Sequence, residues 1–272
     1  MTGAVPATIE VDKLYAHYGD RPVLRDINFR VEPGEVMVIM GGSGSGKSTL
    51  LRHLLGLQAP TSGTIRVLGV DIVRGKKREM LEMRRKIGVA FQSGALFSSM
   101  TVGENIMLPL REHAKLDAAT MRIMMRLKLD FVNLPGSEDL MPAELSGGMI
   151  KRAALARAII MDPKLVFLDE PSAGLDPVVA AGLDELILEL KATGVSLVVV
   201  THELDSAFRI ADRITVLDRG DILISDTVAA VRASPNERVQ ALLTRRVEHT
   251  NHNPDEFLRT LTRAGRDDDR EP

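Results

Sequence analysis

The chain of 272 residues contains no cysteine. That excludes disulfides and thiolate-held metals, and it agrees with a reducing compartment. Excess charge is missing too: 35 Lys and Arg face 37 Asp and Glu, a formal net of −2. Proteins that grip nucleic acid carry a concentrated positive field, so no nucleic-acid partner is expected. Long apolar runs are absent. VMVIM (36–40) and VSLVVV (195–200) are among the longest, against the ~20 residues a membrane helix needs. If the protein serves a membrane, another chain is expected to cross it. The first residues, MTGAVPATIEVDK, lack the basic start and apolar stretch of a secretory signal. No internal repeat is visible, so one copy of the functional unit is expected. What is abundant is apolar mass, 44% of residues, enough for a full core.

Apolar and polar residues alternate over 8–31 (Ile9, Val11, Leu14, Val23, Ile27, Phe29, Val31), which reads as half-buried antiparallel strands. Val36–Met40 is continuously apolar, as a strand covered on both faces would be. TLLRHLLGL (49–57) has helical spacing, Ser62-Gly63 turns into a short strand, KKREMLEMRRK (76–86) reads as a basic helix, and IGVAF (87–91) as a strand. Strand signals vanish over 100–160, where helical patterns occupy 117–131 and 147–161. The strand and helix rhythm then returns with KLVFLD (164–169), a helix over 178–194, VSLVVVT (195–201) and a hairpin in ITVLDRGDILIS (214–225). The expected fold class is α/β, with a helical insert and a small antiparallel layer. A last amphipathic stretch, NPDEFLRTLTRAG (253–265), has Asn253 as cap, Pro254 in the first turn and Gly265 as stop.

The chemistry gathers at a few points. GGSGSGKS (41–48) fits the phosphate-loop pattern, with Gly41, Gly46, Lys47 and Ser48 at the required places between an apolar strand and a helix. Backbone N–H groups of 43–49, from Ser43 through Gly44 to Thr49, can converge on polyphosphate oxygens at a helix start. Lys47 then reaches the outer phosphates and the Ser48 hydroxyl ligates Mg²⁺. LVFLDEP (165–171) ends a buried strand in two carboxylates. Asp169 is placed to hold Mg²⁺, and Glu170 to orient or deprotonate an attacking water. LSGGM (145–149) is a second nest of small residues opening a helix, able to bind an anion or merely to cap with Ser146. Gln92 and His202 each follow an apolar strand, at the carboxyl edge where α/β proteins bind ligands. Tyr18, one of only two tyrosines, either stacks on a purine or simply packs.

Taken together these residues resemble the nucleotide-binding subunit of an ABC transporter over about residues 8–230, in the loop 41–49, Gln92, LSGGM, LVFLDE, SAGLD (172–176) and His202. The resemblance implies a P-loop NTPase (RecA-like) core, an antiparallel β-subdomain and a helical signature-motif subdomain at about 97–160. It implies an ATPase domain over 8–245 followed by an extension over 246–272. It further implies ATP and Mg²⁺ as cofactors, with Glu170, His202 and Gln92 in catalysis. Ser48, Gln92 and Asp169 would hold the metal, and Tyr18 would stack on adenine. Two copies would face head to tail, so that Ser146, Gly147 and Gly148 of one clasp the nucleotide of the other. A transmembrane permease would be the partner that is moved, at the cytoplasmic face of a bacterial inner membrane.

A narrower likeness lies in FQSGALF (91–97), PLREH (109–113), LMPAELSGGM (140–149) and RAALARAI (152–159), which resemble the ATPases of Mla systems. Those are MCE-type machines that move phospholipid between bacterial membranes, so an MCE-domain protein is an expected further partner. Phe257, Leu258 and Leu261 then either form an arm that contacts a neighbouring subunit or fold back on their own domain. Seven of the 13 methionines (100, 107, 121, 124, 125, 141 and 149) lie in the helical insert, as core filling or as a soft groove for a permease helix. The basic stretch 74–86 is a solvated face or a contact to anionic lipid. An importer of small polar solutes, a lipoprotein-release ATPase and a regulator of cell-wall enzymes are compatible with this length. ABC ATPases of DNA repair or translation carry coiled-coil or zinc insertions, or a second module, which this chain lacks. A GTPase is disfavoured by the missing N/T-K-x-D segment.

Overall fold

A computed structural model describes residues 6–244, which fall into two compact units, one ending at Ser234 and one beginning at Pro235. In chain order the strands are β1 (Ile9–Tyr18), β2 (Arg21–Val31), β3 (Val36–Met40), β4 (Ser62–Val67), β5 (Val70–Asp71), β6 (Ile87–Ala90), β7 (Leu165–Asp169), β8 (Ser196–Thr201), β9 (Arg213–Asp218) and β10 (Asp221–Thr227). The helices are α1 (Lys47–Leu54), α2 (Lys77–Arg84), α3 (Val102–His113), α4 (Ala118–Phe131), α5 (Gly147–Ile159), α6 (Pro177–Ala192), α7 (Leu204–Ile210), α8 (Val228–Arg232) and, in the second unit, α9 (Glu237–Leu243). The tail residues Asn253, Pro254, Phe257, Leu258, Leu261 and Gly265 lie outside the described residues.

Two sheets form the frame. A six-stranded sheet runs β10-β9-β3-β8-β7-β6, parallel except for β10, and a four-stranded antiparallel sheet runs β2-β1-β4-β5. The continuous apolar runs became the central parallel strands: every residue of β3 and β8 is buried. The alternating run became the antiparallel sheet, where Leu14, Ile27 and Val31 are buried and the residues on either side of them exposed. One core joins the two sheets: Ile9, Leu24 and Ile65 of the small sheet pack with Met37, Phe167 and Val198 of the large one around Leu50 and Leu54 of α1.

Helices α3, α4 and α5 pack on one another, and α5 also lies against β6. Their starts are written locally. Asp117 caps α4 by accepting from Ala119 and Thr120 N–H, Ser146 caps α5 by accepting from Met149 N–H, and Asp176 caps α6 ahead of Pro177. Helix α3 is an addition to the sequence reading. A reciprocal box, Thr101 Oγ1 accepting from Glu104 N–H and Glu104 Oε2 from Thr101 N–H, opens it, and Pro109 sits inside it.

Asn105 of α3 is fully buried and organises the preceding loop. Its Oδ1 accepts from Phe97 N–H at 2.7 Å, and its Nδ2 donates to the carbonyls of Phe97, Met100 and Thr101 at 2.9–3.1 Å. Asn105→Ala strands the Phe97 N–H and the Met100 carbonyl, while the Thr101 and Phe97 carbonyls keep the backbone N–H groups of residues 105 and 100. Each buried group left unpaired costs about 1–3 kcal/mol and some will find water, so we expect a net loss of ~3 kcal/mol. Urea unfolding checks it, and a midpoint equal to the parent protein's contradicts it.

Candidate functional site

Parallel register decides where the chemistry meets. Met40 of β3 pairs with Thr201 of β8, and Asp169 of β7 pairs with Val200 of β8. The residues after those strand ends, Gly41, Glu170 and His202, therefore leave the sheet at one edge. Gln92 joins them, two residues beyond Ala90 of β6, and is exposed.

At that edge the glycine loop wraps into α1. Gly46 is the helix cap and holds φ at 107°, and a Cβ on it would stand 2.7 Å from Leu24 Cδ2. No other residue type fits that backbone and that gap. Gly44 is also left-handed, with open space on its Cβ side, so the nest stays accessible. Ser43, Gly44 and Ser48 are exposed, while Ser45 is buried with its Oγ unpaired. Lys47 Nζ donates to the carbonyls of Gly41 at 2.8 Å and Gly42 at 3.1 Å. Burial pushes the Lys47 ammonium below its ordinary pKa, and the nearby Glu170 and Asp169 oppose that shift. For a half-buried cation held by two carbonyls, a polyphosphate is the better partner.

Gly44–Thr49 line a cavity of about 680 Å³ together with Tyr18, Arg21, Val23, Arg25 and Arg219. Arg25 is committed to Asp221, with Nε to Oδ1 at 2.9 Å and Nη2 to Oδ2 at 2.5 Å. Tyr18 is 46% exposed, and its hydroxyl donates to Gln58 Oε1 at 3.1 Å. Its ring thus borders the cavity beside Thr49. A larger cavity, about 820 Å³, opens at the other end of the sheet among Pro33, Phe131, Pro163 and Val195, and no residue of the phosphate loop lines it. The smaller cavity carries the convergent backbone donors and the lysine, so chemistry and not size selects it.

Asp169 and Glu170 separate as the strand ends. Glu170 has φ 47°, a left-handed backbone that costs a side-chain-bearing residue about 1–2 kcal/mol. Its carboxylate is buried against His202: Nδ1–H of His202 donates to Oε1 at 2.9 Å and the His202 amide to Oε2 at 3.3 Å. The other ring nitrogen of His202 lies 3.4 Å from Glu203 Oε1. Asp169 is half-buried. Desolvation, and then the Glu170 charge, raise its pKa, while Lys151, Lys47 and Arg52 pull it back. These oxygen ligands suit a hard cation. Among the described residues no cluster of three or more His, Cys, Asp or Glu could hold a metal unaided.

Ser146, Gly147 and Gly148 are not among the residues lining the phosphate-loop cavity. Their nest opens beside Leu175 and Val179 at the start of α6, with Ser146 and Gly147 exposed. One chain therefore presents two separate glycine-containing helix starts. The sequence reading missed Lys151. It sits one turn into α5 and donates from Nζ to the Glu170 carbonyl at 2.8 Å. A cation four residues after Gly147 was the only available signal, and nothing local tied it to a strand end.

A family model described as "ABC transporter" matches residues 24–173. The intermembrane phospholipid transport system ATP-binding protein MlaF of Escherichia coli K12 is 42% identical over 226 residues, 83% of this chain and 84% of that protein. The probable ribonucleotide transport ATP-binding protein mkl of Mycobacterium tuberculosis is 40% identical over 218 residues, 80% of this chain; the match spans only 61% of the mycobacterial protein's length. Among solved structures, the ATP-binding cassette MJ0796, a dimer in a post-hydrolysis state with ADP and Pi, superposes with a TM-score of 0.75 at 29% identity, covering 81% of this chain and 98% of its own.

Proposed function

The chain belongs to the ABC transporter ATP-binding family, and from that premise we propose that it hydrolyses ATP to drive phospholipid movement between bacterial inner and outer membranes. One observation carries the ATPase reading: the glycine cradle with Lys47, and the Glu170–His202 pair, leave one sheet edge together. The backbone donors of 43–49 and Lys47 bind the triphosphate, and the exposed Tyr18 ring stacks on adenine. Ser48, Gln92 and Asp169 would hold Mg²⁺, which when bound would supply charge neutralisation on the phosphates. Glu170 takes the proton of the attacking water, and His202 keeps its carboxylate oriented.

Two copies pair head to tail, each giving Ser146, Gly147 and Gly148 to the nucleotide bound by the other; the dimeric cassette MJ0796 supports this arrangement. Loss of the γ-phosphate removes the bridge, and the equilibrium shifts toward the open pair. Among the described residues no helix is long and apolar enough to cross a membrane. A transmembrane permease, with an MCE-domain protein in the same complex, is the partner, and the chain sits at the cytoplasmic face of the inner membrane. Phe91 and Phe97, 38% and 52% exposed, are the apolar side chains offered to the permease. Residues 8–245 form the ATPase domain, with its helical subdomain at about 97–160, and 246–272 a partner-contacting extension.

The cargo rests on the likeness to MlaF, which covers most of both chains. The mycobacterial likeness favours ribonucleotide as the second reading. The deciding experiment isolates the complex from native membranes and reconstitutes it in vesicles. ATP-dependent transfer of a labelled phospholipid is expected; uptake of a labelled ribonucleotide instead would replace the lipid reading.

A further inference from the structure

The segment carrying Glu170 is held in a backbone conformation it would not choose. Its φ is 47°, and three bonds fix it: Glu170 N–H donates to Val200 O at 2.8 Å, the carboxylate engages His202, and Lys151 Nζ donates to the Glu170 carbonyl at 2.8 Å. That carbonyl also accepts a longer bond from Ala173 N–H, 3.3 Å. Of these partners only Lys151 comes from outside the sheet edge and its following turn. It belongs to α5, whose first turn is the Ser146–Gly148 nest. Lys151 lies one turn beyond Gly147 and Gly148 on the same helix face. Burial lowers its pKa, and the Glu170 and then the Asp169 charge oppose that shift. Lys151 Nζ thus reaches the Glu170 main chain, while Lys47 of the other nest-bearing helix reaches the Gly41 and Gly42 carbonyls.

We propose that Lys151 is a positioning residue for hydrolysis, anchoring the Glu170 main chain and tying the signature helix of each subunit to that subunit's own carboxylates. The helix that reaches across to the partner's nucleotide is then the helix that restrains the home base. Engagement of one site is felt at the other through a single side chain. Arg157 adds a second attachment of α5, donating to the carbonyls of Ala95 at 2.7 Å and Gly94 at 2.8 Å in the loop after Gln92.

The proposal rests on the ATPase reading, and two measurements on the full-length chain separate its fate from that reading. In steady-state kinetics Lys151→Met should lower kcat about 10–100-fold with KM for ATP within ~threefold, and Lys151→Arg should restore kcat to within ~threefold of the parent. In nucleotide-free protein, amide exchange over 165–175 should quicken about fivefold or more in Lys151→Met and not in Lys151→Arg. The exchange result stands whether or not the parent turns over ATP. Unchanged kcat, a loss that arginine does not rescue, or unchanged exchange in Lys151→Met would each overturn the anchoring role.

Discussion

Glu170→Gln is expected to slow ATP turnover by about 10²–10⁴-fold, the usual contribution of a general base, while nucleotide binding survives. The substitution keeps the shape of a side chain whose two oxygens now accept from the ring and the amide of His202. A carboxamide can serve only one of those donors with its oxygen, so the local geometry is retained at the cost of one bond. It also removes a negative charge beside Lys47 and Asp169. A triphosphate arriving there meets less repulsion, so its affinity should hold or tighten. With cleavage blocked, the nucleotide stays between two subunits. Light scattering should report twice the parent's mass in ATP alone. Turnover within ~threefold of the parent would remove Glu170 from the role assigned to it.

Lys47→Ala should act on the other half of the cycle. Its Nζ contacts only the carbonyls of Gly41 and Gly42 among the described partners, and burial already disfavours its charge. Deleting it therefore leaves the fold nearly as stable, with a melting temperature within a few degrees. The loss falls on the ligand. A charge-assisted contact to phosphate contributes about 1.5–3 kcal/mol, and two such contacts to the outer phosphates place the rise in Kd for ATP at about 10²–10⁴-fold. Titration calorimetry measures it directly. Undiminished affinity would contradict the assignment of the cradle.

What could be read from the chain before its structure follows from how local each cause is. The glycine cradle is eight consecutive residues between a buried strand and a helix, so neighbours in sequence are neighbours in space. The same holds for the Ser146 cap and the alternation of β1. Helix α3 escaped because Pro109 removes a donor inside it and Asn105 puts an amide at a buried position. Both features argue against a helix when read locally. The four bonds that Asn105 makes to the preceding loop satisfy its amide and so make a buried helical position favourable. The pairing of Glu170 with His202 needs strand register, which composition does not state. Lys151 was hidden for the same reason: its partner is a main-chain oxygen 19 residues away. Length and period were insufficient for α7 and α8, which span seven and five residues.

Because β3, β7 and β8 run side by side in one direction, their lengths act as shims under a shared worktop. Removing a single residue from any of them would draw its terminal group back by ~3.3 Å and turn alternate side chains to the opposite face. Point changes along these strands should thus be far better tolerated than deletions. Insertions and deletions are expected to be tolerated in the turns between the layers instead.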